Sequence, residues 1–336
     1  MDSVAALGEF GLIDQLNQVI AQEGCCPAGL ELGIGDDAAL LRPRPGSDLA
    51  VTCDVLLEGR HFLPRMLHGA ALGRRAMAVN LSDLAAMGAS PRYAFVALGL
   101  RGDTPVSEVL EWYRGFAVEL GLWQAGIAGG NMTRVDGPQF IAVTLMGEVA
   151  PGKALRRDGA CAGDAVLVTG WPGQAAAGLQ LLERGGVPLD HPLVQALLAP
   201  RARVAEGRAL AAAGLVSAAI DLSDGLVADL GHLCTASGVG ARLWAESLPL
   251  NPYLEWAGSE LAVDPLAWVL GPSDDYELIL TCPPEQARAV MACINALGQV
   301  GVRQVGELTE NAGHLELVEA TGSSRPLGTR GWDHFG

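Results

Sequence analysis

Apolar residues recur at helical spacing from Glu9 to Ile20, which predicts a helix there. The same spacing runs through the Ala-rich stretch Gly69 to Met87, and Gly88 stops it. Further helices are predicted over 106–120, 175–183, 200–213 and 224–234, the last opened by an Asp-Leu-Ser-Asp turn. Short apolar runs at 49–53, 93–100, 140–149, 165–169, 276–281 and 304–308 read as strands. Residues 150–163 are rich in Gly, Arg and Ala, hold a Pro and show no clear period. A domain boundary is expected in that stretch, giving domains of 1–150 and 151–336. Strands and helices mix in each half without strict βαβ alternation, so α+β is favoured over a doubly wound sheet.

At 336 residues, half of them hydrophobic, the chain can bury the cores of two domains. The greasy stretch Ala209 to Ile220 is too short to span a bilayer, so no membrane role is expected. Met1 to Phe10 lack the basic start and apolar run of a secretory signal. The seven cysteines include no CxxC pair and are odd in number, which suits reduced thiols and a cytoplasmic location. A net charge of −16 argues against a nucleic-acid partner, because a phosphate backbone demands a basic face. It leaves room for a nucleotide substrate if a divalent cation supplies the positive charge.

The acids are clustered in turns: Gly35-Asp36-Asp37, Thr52-Cys53-Asp54, Asn80-Leu81-Ser82-Asp83, Asp221-Leu222-Ser223-Asp224-Gly225 and Ser273-Asp274-Asp275. Taken singly, each reads equally well as a helix cap or an Asx-turn. Taken together, between apolar runs, they need a cation to offset desolvation, and hard Asp oxygens suit Mg²⁺ with substrate phosphates completing the shell. Phosphoryl transfer needs metals to neutralise charge, an aligned acceptor and backbone donors on the phosphates. The glycine-rich turns Gly129-Gly130 and Gly170-Trp171-Pro172-Gly173 are candidates for phosphate approach, with Arg134 and Arg157 for charge. Two apparent nucleotide motifs fail. Gly33 to Ala38 fits G-x-G-x-x-A, but it would face a pyrophosphate with two carboxylates, and prolines follow where a helix is required. Gly147 to Lys153 fits G-x-x-x-x-G-K, but Ala154 stands where the magnesium-binding hydroxyl belongs.

In their order, the segments GEFGLI, GIGDDAALL, DVLLEGRHF, AVNLSDLAAMGASP, GGNMTR, LRRDGACAGD, VTGWPGQAAAGL, IDLSDGL, DDYEL and GWDHF resemble the thiamine-monophosphate kinases. That family shares a superfamily with aminoimidazole ribonucleotide synthetase and selenophosphate synthetase. The resemblance implies an ATP- and Mg²⁺-dependent kinase that adds a second phosphate to thiamine monophosphate, with several ions bound and no covalent nucleophile. It implies a two-domain, synthetase-like fold. The N-terminal domain would bind ATP and metal and pair in a homodimer through a β-barrel. The C-terminal α/β sandwich would close the nucleotide groove. Carried over by position, the metal ligands would be Asp37, Thr52, Cys53, Asp54, Asp83, Asn131, Asp221 and Asp224. Gly130, Asn131, Arg157 and Ser223 would touch ATP. His61, Asp274 and Trp332 would face thiamine monophosphate, with Trp332 stacked on its cationic ring. Asp36, beside Asp37, is expected to form the turn rather than to ligate.

The chain departs from the family pattern around this site. Gly-Gly-Asp-Thr is here Gly129-Gly130-Asn131-Met132, so a carboxylate has become an amide. A thiol, Cys53, stands where a hydroxyl is usual, and thiols are poor Mg²⁺ ligands. A Glu expected to face substrate is Asp274, one methylene shorter, and the loop 173–177 lacks its usual serine. A working kinase is the favoured reading, because all five aspartates remain. The alternatives are a relative that binds nucleotide or thiamine phosphate with little turnover, and another ATP-dependent synthetase of the superfamily.

Overall fold

The computed structural model describes residues 3–24 and 27–328. It comprises two compact units. The first runs to Leu84 and resumes over Ala89–Gly152; the second takes Ala85–Gly88 and the chain from Lys153 onward.

The first unit holds helices α1 (Val4–Leu7), α2 (Glu9–Gln22), α3 (Gly69–Ala86, whose last residues count with the second unit) and α4 (Val106–Gly121). Its strands are β1 (Leu30–Leu32), β2 (Leu40–Leu41), β3 (Asp48–Leu57), β4 (Ser90–Leu100), β5 (Gly126–Arg134) and β6 (Phe140–Val149). β1 and β2 pair with each other, and the rest form a four-stranded sheet in the order β3-β6-β4-β5. β4 and β5 are parallel; the other pairs are antiparallel. Period-2 alternation splits the sheet into two faces. Ile141, Val143 and Leu145 of β6 and Val96 and Leu98 of β4 are fully buried on one of them. On the other, Leu49, Val51 and Val55 of the edge strand β3 are 43%, 58% and 50% exposed. Helices α3 and α4 meet backbone to backbone, since a Cβ on Gly73 or Gly115 would lie 2.1 Å from a carbonyl oxygen of the other helix.

The second unit is built on a seven-stranded sheet. In chain order its strands are β7 (Ala165–Thr169), β8 (Ala218–Leu222), β9 (Gly240–Trp244), β10 (Glu277–Cys282), β11 (Val302–Thr309), β12 (Leu315–Val318) and β13 (Ser324–Pro326). The spatial order is β13-β12-β9-β11-β7-β10-β8, antiparallel except between β9 and β12. Helices α5 (Gln174–Arg184), α6 (Pro192–Leu198), α7 (Val204–Ala213), α8 (Leu226–Ser237), α9 (Pro252–Leu261), α10 (Pro265–Leu270) and α11 (Ala287–Asn295) complete it. Every residue of β7, β8 and β10 is buried, which explains their continuous apolar runs: both faces of a covered strand need apolar side chains.

Both units mix strands and helices, and neither sheet closes into a barrel among the described residues. Among those residues no helix is long and apolar enough to cross a membrane. The topology also sets where loops gather. β7 and β8 both run antiparallel to β10, so their C-terminal ends share a sheet edge with the start of β10.

Candidate functional site

In the first unit, alternation along β3 turns Thr52 and Asp54 to one face and Cys53 to the other. Thr52 donates its hydroxyl to the Asp83 carboxylate on α3. The Asp54 N–H donates to Asn80 Oδ1 at 3.2 Å. Asn80 and Asp83 stand three apart on α3, hence on one helix face. Asn80 is fully buried, and its amide nitrogen donates to the Ala76 carbonyl at 2.9 Å, which orients its oxygen toward β3. The Cys53 thiol lies on the opposite sheet face, where it accepts from the Thr144 hydroxyl at 3.5 Å. It therefore cannot share an ion with the Thr52 and Asp54 side chains; only its main-chain carbonyl remains for such a role.

Asp36 forms the turn before it, accepting the Asp37 N–H at 2.8 Å, and the Asp37 side chain is exposed. His61 follows β3, half-buried, and its Nδ1 accepts the Leu57 N–H at 3.0 Å. In the neutral ring that bond leaves the proton on Nε2. Gly130 and Asn131 do not form the expected turn. They lie in β5, exposed, paired with Val96 and Ala97 of β4. With Ile13, Ile34, Tyr113 and Met132 they line a cleft between α2 and the sheet.

In the second unit, Asp221 is buried near the end of β8. The turn after it is held by Asp229 of α8, whose Oδ2 accepts the N–H groups of Ser223, Asp224 and Gly225 at 3.0, 2.9 and 3.1 Å. Burial pushes the Asp229 carboxyl up to about 7 against the pull of those bonds. Asp224, Asp229 and His232 bring one ligand atom each within 4.8 Å of one another. A second buried carboxylate, Asp275, caps α5: it accepts from Gly173 N–H at 2.6 Å, Ala175 N–H at 2.8 Å and the Ser273 hydroxyl. Burial pushes it up to about 6. The Gly173 donor of the Gly170–Gly173 turn is thus spent on a side chain rather than left for a phosphate. Asp274 sits half-buried beside it. Arg157 is exposed, its carbonyl accepting from the Ser237 hydroxyl at 2.6 Å, while the neighbouring Arg156 is paired with Asp158. Trp332 lies outside the described residues.

Residues 35–149 match the N-terminal domain of AIR synthase related protein, and residues 162–317 match its C-terminal domain. The thiamine-monophosphate kinase of Salmonella typhimurium is 38% identical over 339 aligned positions, covering 98% of this chain and 99% of that one. The chain belongs to the thiamine-monophosphate kinase family. The thiamine-monophosphate kinase of Stenotrophomonas maltophilia K279a has the same fold, with a TM-score of 0.81 at 37% identity over 90% of this chain and 95% of that one. AaThiL complexed with AMPPCP and TMP gives a TM-score of 0.77 at 32% identity, over 98% and 97% of the two chains.

Residues of this thiamine-monophosphate kinase family member that sequence reasoning passed over are those that hold others in place. Asn80 could have been found from its i, i+3 spacing to Asp83 on a predicted helix. Tyr113 gave no signal beyond the apolar face of its helix. Asp229 sits in a strongly apolar stretch, Leu226 to Leu233, where an acid must be hydrogen-bonded, and that was a usable sign.

Proposed function

We propose that the protein transfers the γ-phosphoryl group of ATP to thiamine monophosphate. A phosphate oxygen of thiamine monophosphate attacks the γ-phosphorus, the bond to the β,γ-bridging oxygen breaks, and thiamine diphosphate and ADP leave. The observation that carries the reading is likeness over nearly the whole chain to thiamine-monophosphate kinases, one of them a complex with AMPPCP and TMP.

The donor chemistry at β3 and α3 fits Mg²⁺. The side chains gathered there offer oxygen, from Thr52, Asp54 and Asp83, and the Cys53 thiol is turned away. Asp37 and the Cys53 carbonyl would complete the ligands there; Asn131, which the register puts on the Cys53 face and three strands away, would serve a separate ion, and Asp221 and Asp224 would serve from the second unit. Bound there, Mg²⁺ would neutralise phosphate charge and stabilise the charge that develops during transfer. The apolar cleft beside Gly130, Asn131 and Tyr113 suits part of ATP, with Arg157 and Ser223 as further contacts. His61 offers an Nε2–H donor to the thiamine phosphate, and Asp274 and Trp332 complete that side.

The acting form would be a homodimer in the cytoplasm. The exposed face of the first unit's sheet, with Leu49, Val51 and Val55, is the surface that a second copy would cover, and two such sheets could close a barrel.

The test is direct. Incubated with ATP, Mg²⁺ and thiamine monophosphate, the protein should release ADP and thiamine diphosphate together, and a chelator should stop both. A folded protein that thiamine monophosphate stabilises against heat, yet that releases no ADP, would be a binder instead.

A further inference from the structure

The loop before β10 is pinned on both sides of one strained residue. Tyr276 has φ +54, a left-handed conformation that a non-glycine residue holds only when its surroundings impose it. One neighbour, Asp275, is tied to the N-terminus of α5. The other, Glu277, is 4% exposed and accepts from the Thr169 hydroxyl at 2.6 Å and from Nε of Arg203 at 2.6 Å. Arg203 Nη2 donates to the second oxygen of Glu277, so the pair is bidentate. The turn after β7 also rests on this carboxylate: a Cβ on Gly170 would lie 1.9 Å from Glu277 Oε1. Arg203 forks onto Glu277, while Oε1 of the neighbouring buried Glu206 has no hydrogen-bond partner. The guanidinium hydrogen-bonds Glu277 through two nitrogens, and Glu206 adds only its charge nearby.

A buried ion pair is weak evidence for stability, because desolvation consumes most of its Coulomb gain. What a bidentate fork adds is geometry. We propose that Arg203 is a positioning residue: acting through Glu277, it fixes where the chain enters β10 and so places Asp274 for thiamine monophosphate. Arg203 touches no substrate in this scheme. The inference rests on the reading of Asp274 as substrate-facing.

The experiment compares wild type with Arg203→Lys, Glu277→Gln, Asp274→Ala and the double variant Arg203→Lys with Asp274→Ala. Titration calorimetry gives Kd for thiamine monophosphate and for a non-hydrolysable ATP analogue, with melting curves on the same samples. Arg203→Lys keeps the charge and loses the fork; Glu277→Gln keeps the shape and loses the charge. Each should weaken thiamine monophosphate binding by about tenfold, the range expected when a positioned group drifts by a fraction of an ångström, with nucleotide binding within about twofold. In the double variant the loss should be no greater than for Asp274→Ala alone, because both changes act through one contact. Melting points that fall while both Kd values stay at wild type would overturn the proposal and leave a pure fold strut. So would losses that add fully in the double variant. Should Arg203→Lys not fold, Glu277→Gln with Asp274→Ala closes the same cycle. A wild type that binds thiamine monophosphate but makes no diphosphate overturns the kinase reading alone, and the Kd pattern still decides the role of Arg203.

Discussion

Two buried aspartates govern the loops of the second unit. Asp229 gathers the N–H groups of Ser223, Asp224 and Gly225, and Asp275 gathers those of Gly173 and Ala175. Each stands where a helix N-terminus would otherwise offer donors to an anion. Burial makes this arrangement sensitive to pH. The Asp275 carboxyl rises from 3.8 to about 6 in the fold, so its contribution to stability is complete below about pH 4. That contribution is lost as pH rises through about 6, a change on the order of 3 kcal/mol. Asn cannot ionise at that position. Asp275→Asn should therefore gain in melting temperature relative to wild type as pH goes from 4 to 8, whatever the offset at pH 4. Melting curves at intervals of pH measure this, and a constant difference across the range would refute it.

Among the elements, α3 with β3 carries the acidic site of the first unit, and it was the part most open to reading in advance. The three-and-four spacing of Gly69 to Met87 marks the helix, and the alternating β3 puts Thr52 and Asp54 on one face. The same alternation, applied more strictly, also turns Cys53 away. The runs 140–149 and 165–169 are strands end to end, since an alternating run and a covered apolar run are both unambiguous at that length. β5 was hidden: Gly-Ile-Ala-Gly-Gly-Asn-Met-Thr-Arg has little strand propensity, and it is a strand because β4 offers it an edge. β8 was hidden too, its Ala-Ala-Ile-Asp-Leu running on from the Ala-rich α7 as one greasy stretch. α8 begins at Leu226 rather than Asp224, because Asp229 takes the N–H groups of the preceding turn. Roles for the acids came from resemblance to a family. Asp229 left a sign in its apolar stretch, but the holding roles of Asp275 and Arg203 become visible only once the ends of β7, β8 and β10 come together. Placing Asn131 in β5 rather than in a turn sharpens one prediction. A strand residue in a regular ladder keeps its backbone when its side chain changes, so Asn131→Asp should restore a full charge without moving the chain. The Mg²⁺ concentration for half-maximal activity should fall in that variant, and the rate at limiting Mg²⁺ should rise. An unchanged Mg²⁺ titration would remove residue 131 from the metal ligands.

For the whole molecule, charge and apolar surface pull in opposite directions. A net charge of −16 on each copy opposes self-association, whereas the open sheet face with Leu49, Val51 and Val55 favours it. Apolar burial is worth roughly 25 cal/mol per Å², so a sheet face of a few hundred Å² can outweigh repulsion between exposed, screened charges. Salt then becomes a lever: raising ionic strength shortens the Debye length and should tighten the dimer. Val51 is 58% exposed on the single chain, so an Asp there should cost the isolated fold no more than about 1 kcal/mol, the span of strand propensity. In the dimer the same Asp would meet its symmetry mate or apolar neighbours within a covered face, where an unpaired charge is costly. Val51→Asp should therefore sediment as a monomer at micromolar concentration with an intact circular dichroism spectrum, and wild type should sediment as a dimer that tightens with added salt. A Val51→Asp variant that still dimerises would move the interface off this face, and a monomeric wild type would overturn the dimer itself.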